Sequence, residues 1–161
     1  MVIEKDIWNY LKEVFDPEIP VLSIVDLGIV QKVSVTPESI NISIIPTYTA
    51  CPAMKRIEDD IIEYLKKKCN LDVKVELAYK PAWTTDFITD EGKQKLKDYG
   101  IAPPEEELEK TNLFQELVKV RCPKCNSKFT KLVSQFGSTA CKAHYKCEKC
   151  LEPFDYFKCL K

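Results

Sequence analysis

Two Cys-x-x-Cys pairs, Cys122 with Cys125 and Cys147 with Cys150, constrain this chain more than any other feature. A Cys-x-x-Cys turn can point two sulfurs at one metal ion, and two such turns complete the tetrahedron that zinc prefers. The pairs stand 21 residues apart, close to the ~15–20 usual for ribbons. Six of the eight cysteines, Cys122, Cys125, Cys141, Cys147, Cys150 and Cys159, lie in the last 40 residues. In a reducing compartment that density reads as metal binding rather than disulfides. Zinc is the expected ion; mononuclear iron or an iron–sulfur cluster suits the same thiolates. Cys141 and Cys159 are expected as buried thiols and His144, the single histidine, as a surface or packing residue. So short a tail has little core of its own, so metal binding is expected to drive its folding.

Charge divides the chain in the same place. Residues 119–161 hold 10 basic and 3 acidic side chains, a net of +7, while residues 1–118 hold 14 and 22, a net of −8. Four thiolates on a dication would bring the tail to about +5. A basic tail on an acidic body suggests two modules with different partners, or a tail docked on the body. No apolar run approaches the ~18 residues of a membrane span, and the N-terminus lacks the pattern of a signal peptide. A cytoplasmic location is the expectation.

Upstream of the tail the periodicity predicts small elements. Ile3, Ile7, Trp8, Leu11 and Val14 fall at helical spacing, and Asp16-Pro17 should stop that helix. Residues 31–36 and 40–45 alternate as a hairpin around Pro37-Glu38-Ser39. Met54, Ile57, Ile61, Ile62 and Leu65 stripe a second helix that begins at Pro52, and residues 72–78 alternate as a third strand. The order α-β-β-α-β predicts an α+β domain at residues 1–102, a proline-and-charge linker at 103–117 and a four-cysteine ribbon at 118–161. A further short helix over 90–99 should end at Gly100.

Cys51 follows a polar loop and precedes a helix, where the dipole should favour a thiolate. Thr49 is positioned to cap that helix, and Asp16 and Glu18 offer oxygen ligands or bases if the fold brings them close. A small buried cysteine beside a helix is the plain alternative.

Three segments carry a resemblance. Asp16-Pro-Glu-Ile-Pro20, Ile24-Val-Asp-Leu-Gly28 and Thr47-Tyr-Thr-Ala-Cys-Pro-Ala-Met54 resemble the domain of iron–sulfur cluster assembly factors. With Pro81-Ala-Trp-Thr-Thr-Asp86, Tyr99-Gly-Ile-Ala-Pro-Pro104, Phe136-Gly-Ser-Thr139, Cys141-Lys-Ala143 and Glu152-Pro-Phe154, the whole chain is similar to the D (also called J) subunits of the phenylacetate-CoA oxygenase, or phenylacetyl-CoA epoxidase, systems. Ala50 and Asn126 stand where that family is expected to have glycine. The resemblance implies a non-catalytic accessory or maturation subunit. Cys51, with Asp16, Glu18 and Thr49, would handle iron or an iron–sulfur cluster transiently. The partners would be the other oxygenase subunits, with no membrane and no nucleic acid. The sequence agrees in lacking the Glu-x-x-His pairs of di-iron bundles. Two rivals remain. One is a ribbon that binds nucleic acid or serves as a scaffold, supported by the basic tail and its aromatics Phe129, Phe136, Tyr145 and Tyr156. The other is a thiol enzyme using Cys51, which has no evident histidine base.

Overall fold

A computed structural model describes residues 2–105 and 120–158. The chain divides into two compact units, Met1–Gly92 and Lys93–Lys161.

In the first unit, helix α1 spans Glu4–Leu11 and buries Ile7 and Leu11. It ends before the Asp16-Pro17 stop that the sequence suggests. The chain has already turned there: Glu13 and Val14 donate to the carbonyls of Tyr10 and Leu11, and Phe15 bridges Ser23. Strands β1 (Val30–Val35) and β2 (Ser39–Ile44) form the expected antiparallel hairpin. Helix α2 (Ala53–Cys69) then carries the chain to β3 (Asp72–Leu77), which pairs parallel with β2. The sheet order β1-β2-β3 puts β2 at the centre. Its Ile40, Ile42 and Ile44 are buried at every second position, each worth about 1.5–3 kcal/mol of removed apolar surface. Helix α2 contributes Met54, Ile57, Ile61 and Leu65 to the core. Asn70 ends it in the left-handed conformation.

A loop between α1 and β1 closes the unit. Buried Asp26 accepts from the Ser23 hydroxyl at 2.9 Å and from the Thr89 hydroxyl at 3.4 Å. Trp83 is buried and donates its indole N–H to the Leu27 carbonyl at 2.9 Å. Gly28 lies at φ +71°, where a Cβ would come within 2.1 Å of the Phe87 carbonyl oxygen. Only glycine fits there. The segments around Val25 and Trp83, separate in sequence, are thus one packed feature.

Helix α3 spans Asp90–Tyr99, and Gly100 ends it at φ +90°. The second unit holds a four-stranded sheet in the order β4-β7-β6-β5, with β4 Ile101–Ala102, β5 Thr130–Ser134, β6 Lys142–Cys147 and β7 Pro153–Phe157. Residues 101–102, which the pattern assigns to the first domain, pair parallel with β7 instead. Two residues carry no readable strand period, and what recruits them is a partner strand more than 50 positions away. The expected linker lies largely outside the described residues. The ribbon has a core after all: Ala102, Val120, Ala143, Tyr145, Phe154 and Tyr156 pack with Cys122 and Cys147. Tyr145 stacks on Phe154 at 5.9 Å and meets Tyr156 edge-on at 6.0 Å. Those two tyrosines are therefore core residues and not a surface for stacking bases. Among the described residues, no helix is long and apolar enough to cross a membrane.

Candidate functional site: a four-sulfur cluster and a loop cysteine

The sulfurs of Cys122, Cys125, Cys147 and Cys150 all lie within 4.8 Å of one another. Cys122 and Cys150 stand 3.7 Å apart, and Cys125 and Cys147 3.6 Å. Four thiolates at a Zn–S distance of ~2.3 Å would sit about 3.8 Å apart in a regular tetrahedron. The donor set and its size suit one tetrahedral thiolate-bound ion.

Two matching turns build this cluster. In the first, the Asn126 amide donates to the Cys122 carbonyl and the Cys122 amide to the Ser127 carbonyl, both at 2.9 Å. In the second, the Cys147 amide donates to the Glu152 carbonyl at 2.9 Å, and the Cys150 amide reaches the Cys147 sulfur at 3.5 Å. The residue after each second cysteine is left-handed: Asn126 at φ +60° and Leu151 at φ +65°. Asparagine tolerates that conformation; leucine holds it under strain. The ion pair of Lys124 with Glu152 ties one turn to the other.

Four thiols this close share their protons. Burial raises the Cys147 thiol, but the backbone amides of Cys150 and Lys149 and the thiols of Cys125 and Cys150 outweigh it and lower it to about 7. At Cys150 the Glu152 amide favours the thiolate; desolvation and the neighbouring sulfurs prevail and push it up to about 12. A bound cation would displace the protons from all four. Cys141 is buried outside the cluster, with its sulfur 3.1 Å from the Thr139 hydroxyl. His144 Nδ1 lies 3.1 Å from Asp155. Cys159 is outside the described residues.

The second site is the loop between β2 and α2. Cys51 is half-buried and sits at the start of α2, its amide donating to the Tyr48 carbonyl at 3.2 Å. Its thiol is raised above the ordinary 9.0, first by burial and also by the charge of Glu18. The Ala53 amide and the hydroxyls of Tyr48 and Thr47 pull the other way without prevailing. The expected thiolate is therefore a thiol: the helix start supplies one amide, and desolvation costs more than that returns. The expected cap is absent as well. Pro52 occupies the N-cap position with no side-chain hydrogen bond, and Thr49 is exposed.

The carboxylates divide. Glu18 is close enough to act on Cys51. Asp16 is buried, and its Oδ1 accepts from the amides of Glu18 and Ile19, both at 2.8 Å. Asp16 thus holds the turn that presents Glu18. Thr47 and Tyr48, not Thr49, supply the hydroxyls at the sulfur. Sequence order places all three next to Cys51, and only the turn decides which two face it. Ala50 lies at φ +61°. Both positions where glycine is expected, 50 and 126, are thus left-handed.

Comparison with known proteins agrees with this two-part layout. Residues 4–77 match the family described as iron–sulfur cluster assembly protein, and residues 106–158 match the PaaD zinc beta ribbon domain. A putative D subunit of the 1,2-phenylacetyl-CoA epoxidase of Escherichia coli K12 is 46% identical over 155 residues, covering 96% of this chain and 92% of that one. An Fe-S protein maturation auxiliary factor of Porphyromonas gingivalis is 34% identical over 96 residues, covering 58% of this chain and 90% of its own length. A crystal structure of a domain of unknown function from Bacillus anthracis superposes with a TM-score of 0.55 at 25% identity, covering 58% of this chain and 90% of that one. An iron–sulfur assembly-type domain followed by a four-cysteine zinc ribbon, related along nearly its whole length to one such protein, places this chain in the family of phenylacetyl-CoA epoxidase D subunits.

Proposed function

We propose that the chain is an accessory subunit of a phenylacetyl-CoA ring-oxygenating system, and that it passes iron or an iron–sulfur cluster to a partner subunit through Cys51. The reading carries over from the 46%-identical D-subunit relative. The observation that supports it here is the Cys51 loop. A thiol at a helix start, with a carboxylate and two hydroxyls around it, is a place for a cation to bind and leave. The ion is cargo. When iron bonds the Cys51 sulfur, the thiol gives up its proton to solvent. When thiolates of the recipient displace that sulfur, it takes a proton back. The raised thiol favours release, because it makes the protonated, metal-free form the more stable one. Neither step changes an oxidation state.

The ribbon has a different task in this reading. Its four sulfurs hold one zinc ion that stays bound and keeps the unit folded. Its basic surface docks an acidic partner subunit. A thiol enzyme needs a base beside its nucleophile. The sole histidine, His144, is engaged by Asp155, and what faces Cys51 is a carboxylate that raises its pKa.

The test is complementation. A strain co-expressing the other oxygenase subunits with Cys51→Ala should assemble the complex, keep about one zinc per chain and lose ring oxygenation. Full oxygenation with Cys51→Ala would overturn the delivery role.

A further inference from the structure

A groove of about 680 Å³ opens beside the first metal turn, lined by Arg121, Asn126, Lys128, Phe129, Glu148 and Lys149. Phe129 and Glu148, which line it, directly adjoin the ends of β5 and β6. The Glu148 amide donates to the Phe129 carbonyl at 2.8 Å, and Lys131 stands directly opposite Lys146 two residues along the ladder. Side chains two residues apart in a strand share a face. Phe129 and Lys131 therefore lie on one face with Lys146 and Glu148.

Three features of this surface are unusual for one that only meets water. Phe129 is 69% exposed and Val133, at the bulge in β5, is 59% exposed. Lys131 and Lys146 are like charges at directly opposed positions, an arrangement that costs stability in a sheet. Among the described residues, Lys128, Lys131, Lys146 and Lys149 are exposed and none is in an ion pair, whereas Lys124 and Arg121 are tied to Glu152 and Glu105. Against the Glu148 carboxylate on the same face, these four ammonium groups leave an excess of positive charge around an exposed ring.

We infer that this face, from the Phe129 groove to the Lys131–Lys146 pair, is the docking site for an acidic peptide segment of the partner protein, with an apolar side chain of that segment seated against Phe129. The inference rests on the reading above that the ribbon docks an acidic partner, and it names the surface. Charge complementarity selects the occupant. Lysine side chains spaced along a hairpin can each take one carboxylate, and the opposed pair gains most, since one carboxylate between two ammonium groups relieves a repulsion as well as forming two attractions. Duplex DNA would meet the same charges, but of the four ribbon aromatics Tyr145 and Tyr156 are buried, which leaves only Phe129 and Phe136 exposed to stack on bases.

The test uses the full-length, zinc-loaded protein. It is applied to an array of overlapping 15-residue peptides covering the co-expressed oxygenase subunits, with a 20-base-pair DNA duplex alongside. Peptides rich in Asp and Glu with an interspersed apolar residue should bind, more weakly as salt rises. K131E with K146E should weaken binding at least tenfold, and peptides with Asp and Glu changed to Lys should restore it. F129A should weaken binding without changing its salt dependence. Zinc content checks that the variants fold; if K131E with K146E loses zinc, K131Q with K146Q replaces it. Undiminished acidic-peptide binding by the charge variants overturns the proposal, as does tighter binding of the duplex than of any peptide. The complementation strain separates the two readings. Loss of oxygenation in Cys51→Ala, with normal co-purification in K131E/K146E, leaves delivery standing and removes this surface. Loss of co-purification in K131E/K146E, with normal oxygenation in Cys51→Ala, does the reverse.

Discussion

The ribbon and the Cys51 loop solve opposite problems with the same side chain. In the ribbon, four sulfurs converge within 4.8 Å, and Cys122 and Cys147 are almost wholly buried. In the loop, one half-buried sulfur faces hydroxyls and a carboxylate. The first arrangement fills a coordination sphere from one chain, so a bound ion is part of the fold. The second leaves most of the sphere to other donors. On the proposed function, retention and exchange separate by how many ligands the chain brings together. The difference is visible in the turns: bonds of 2.9 Å hold both ribbon turns, while Cys51 has longer ones, its amide to Tyr48 at 3.2 Å and the Met54 amide to its carbonyl at 3.3 Å, beside a left-handed Ala50.

The comparison breaks most sharply at Cys147. Cys147→Ser should empty the cluster and unfold the second unit, since apparent zinc-binding free energies of ~10–16 kcal/mol are folding energy for such small sites. Metal analysis should fall well below one ion per chain. Amide exchange should lose protection in residues 120–158 and keep it in 4–77. Retention of a full equivalent of tightly bound metal would show that the ribbon does not depend on its fourth ligand.

Gly28→Ala makes the reciprocal cut. The added methyl meets backbone at 2.1 Å and a positive φ, so the first unit should lose about 3 kcal/mol or more by urea unfolding. Zinc content should not change. Cys51→Ala is expected to be far milder, within about 1 kcal/mol, because a loop thiol fills little core volume. Its effect belongs to function.

The pH dependence of Cys51 sharpens the contrast further. Only the thiolate reacts with an alkylating reagent. The thiol is raised above 9.0, so its labelling rate should be low at neutral pH and still climbing beyond pH 9. A plateau below pH 8 would mean the helix start outweighs burial. The smallest effects come from the left-handed positions. Ala50→Gly and Leu151→Gly should each gain about 0.5–1 kcal/mol, the relief of φ strain less the entropy glycine adds to the unfolded chain. Leu151 is 65% exposed, so little burial is lost.

Much of this was legible in residue order. The pairing of Cys122, Cys125, Cys147 and Cys150 follows from spacing, because a Cys-x-x-Cys turn is a local structure. Ile40, Ile42 and Ile44, and the stripe from Met54 to Leu65, announce strand and helix through periods of 2 and 3.6. Asn126 and Ala50, standing where glycine is expected, both take a left-handed backbone. These are features that near neighbours in the chain decide.

Tertiary structure decided the rest, and the reason is the same each time. The state of the Cys51 thiol depends on burial and on Glu18, 33 positions away, so the local helix dipole predicts the wrong sign. Ile101–Ala102 becomes a strand because β7 offers it partners. Tyr145 and Tyr156 leave the surface because β6 and β7 turn one face inward around the sulfurs. Asp26 and Trp83 read as family markers in sequence, yet the close approach of two distant segments makes them structural. Sequence order alone determines which turns, helices and strands can form and which thiols can be paired by a Cys-x-x-Cys turn. Desolvation and long-range pairing depend on what the chain packs against, and only the folded arrangement supplies that.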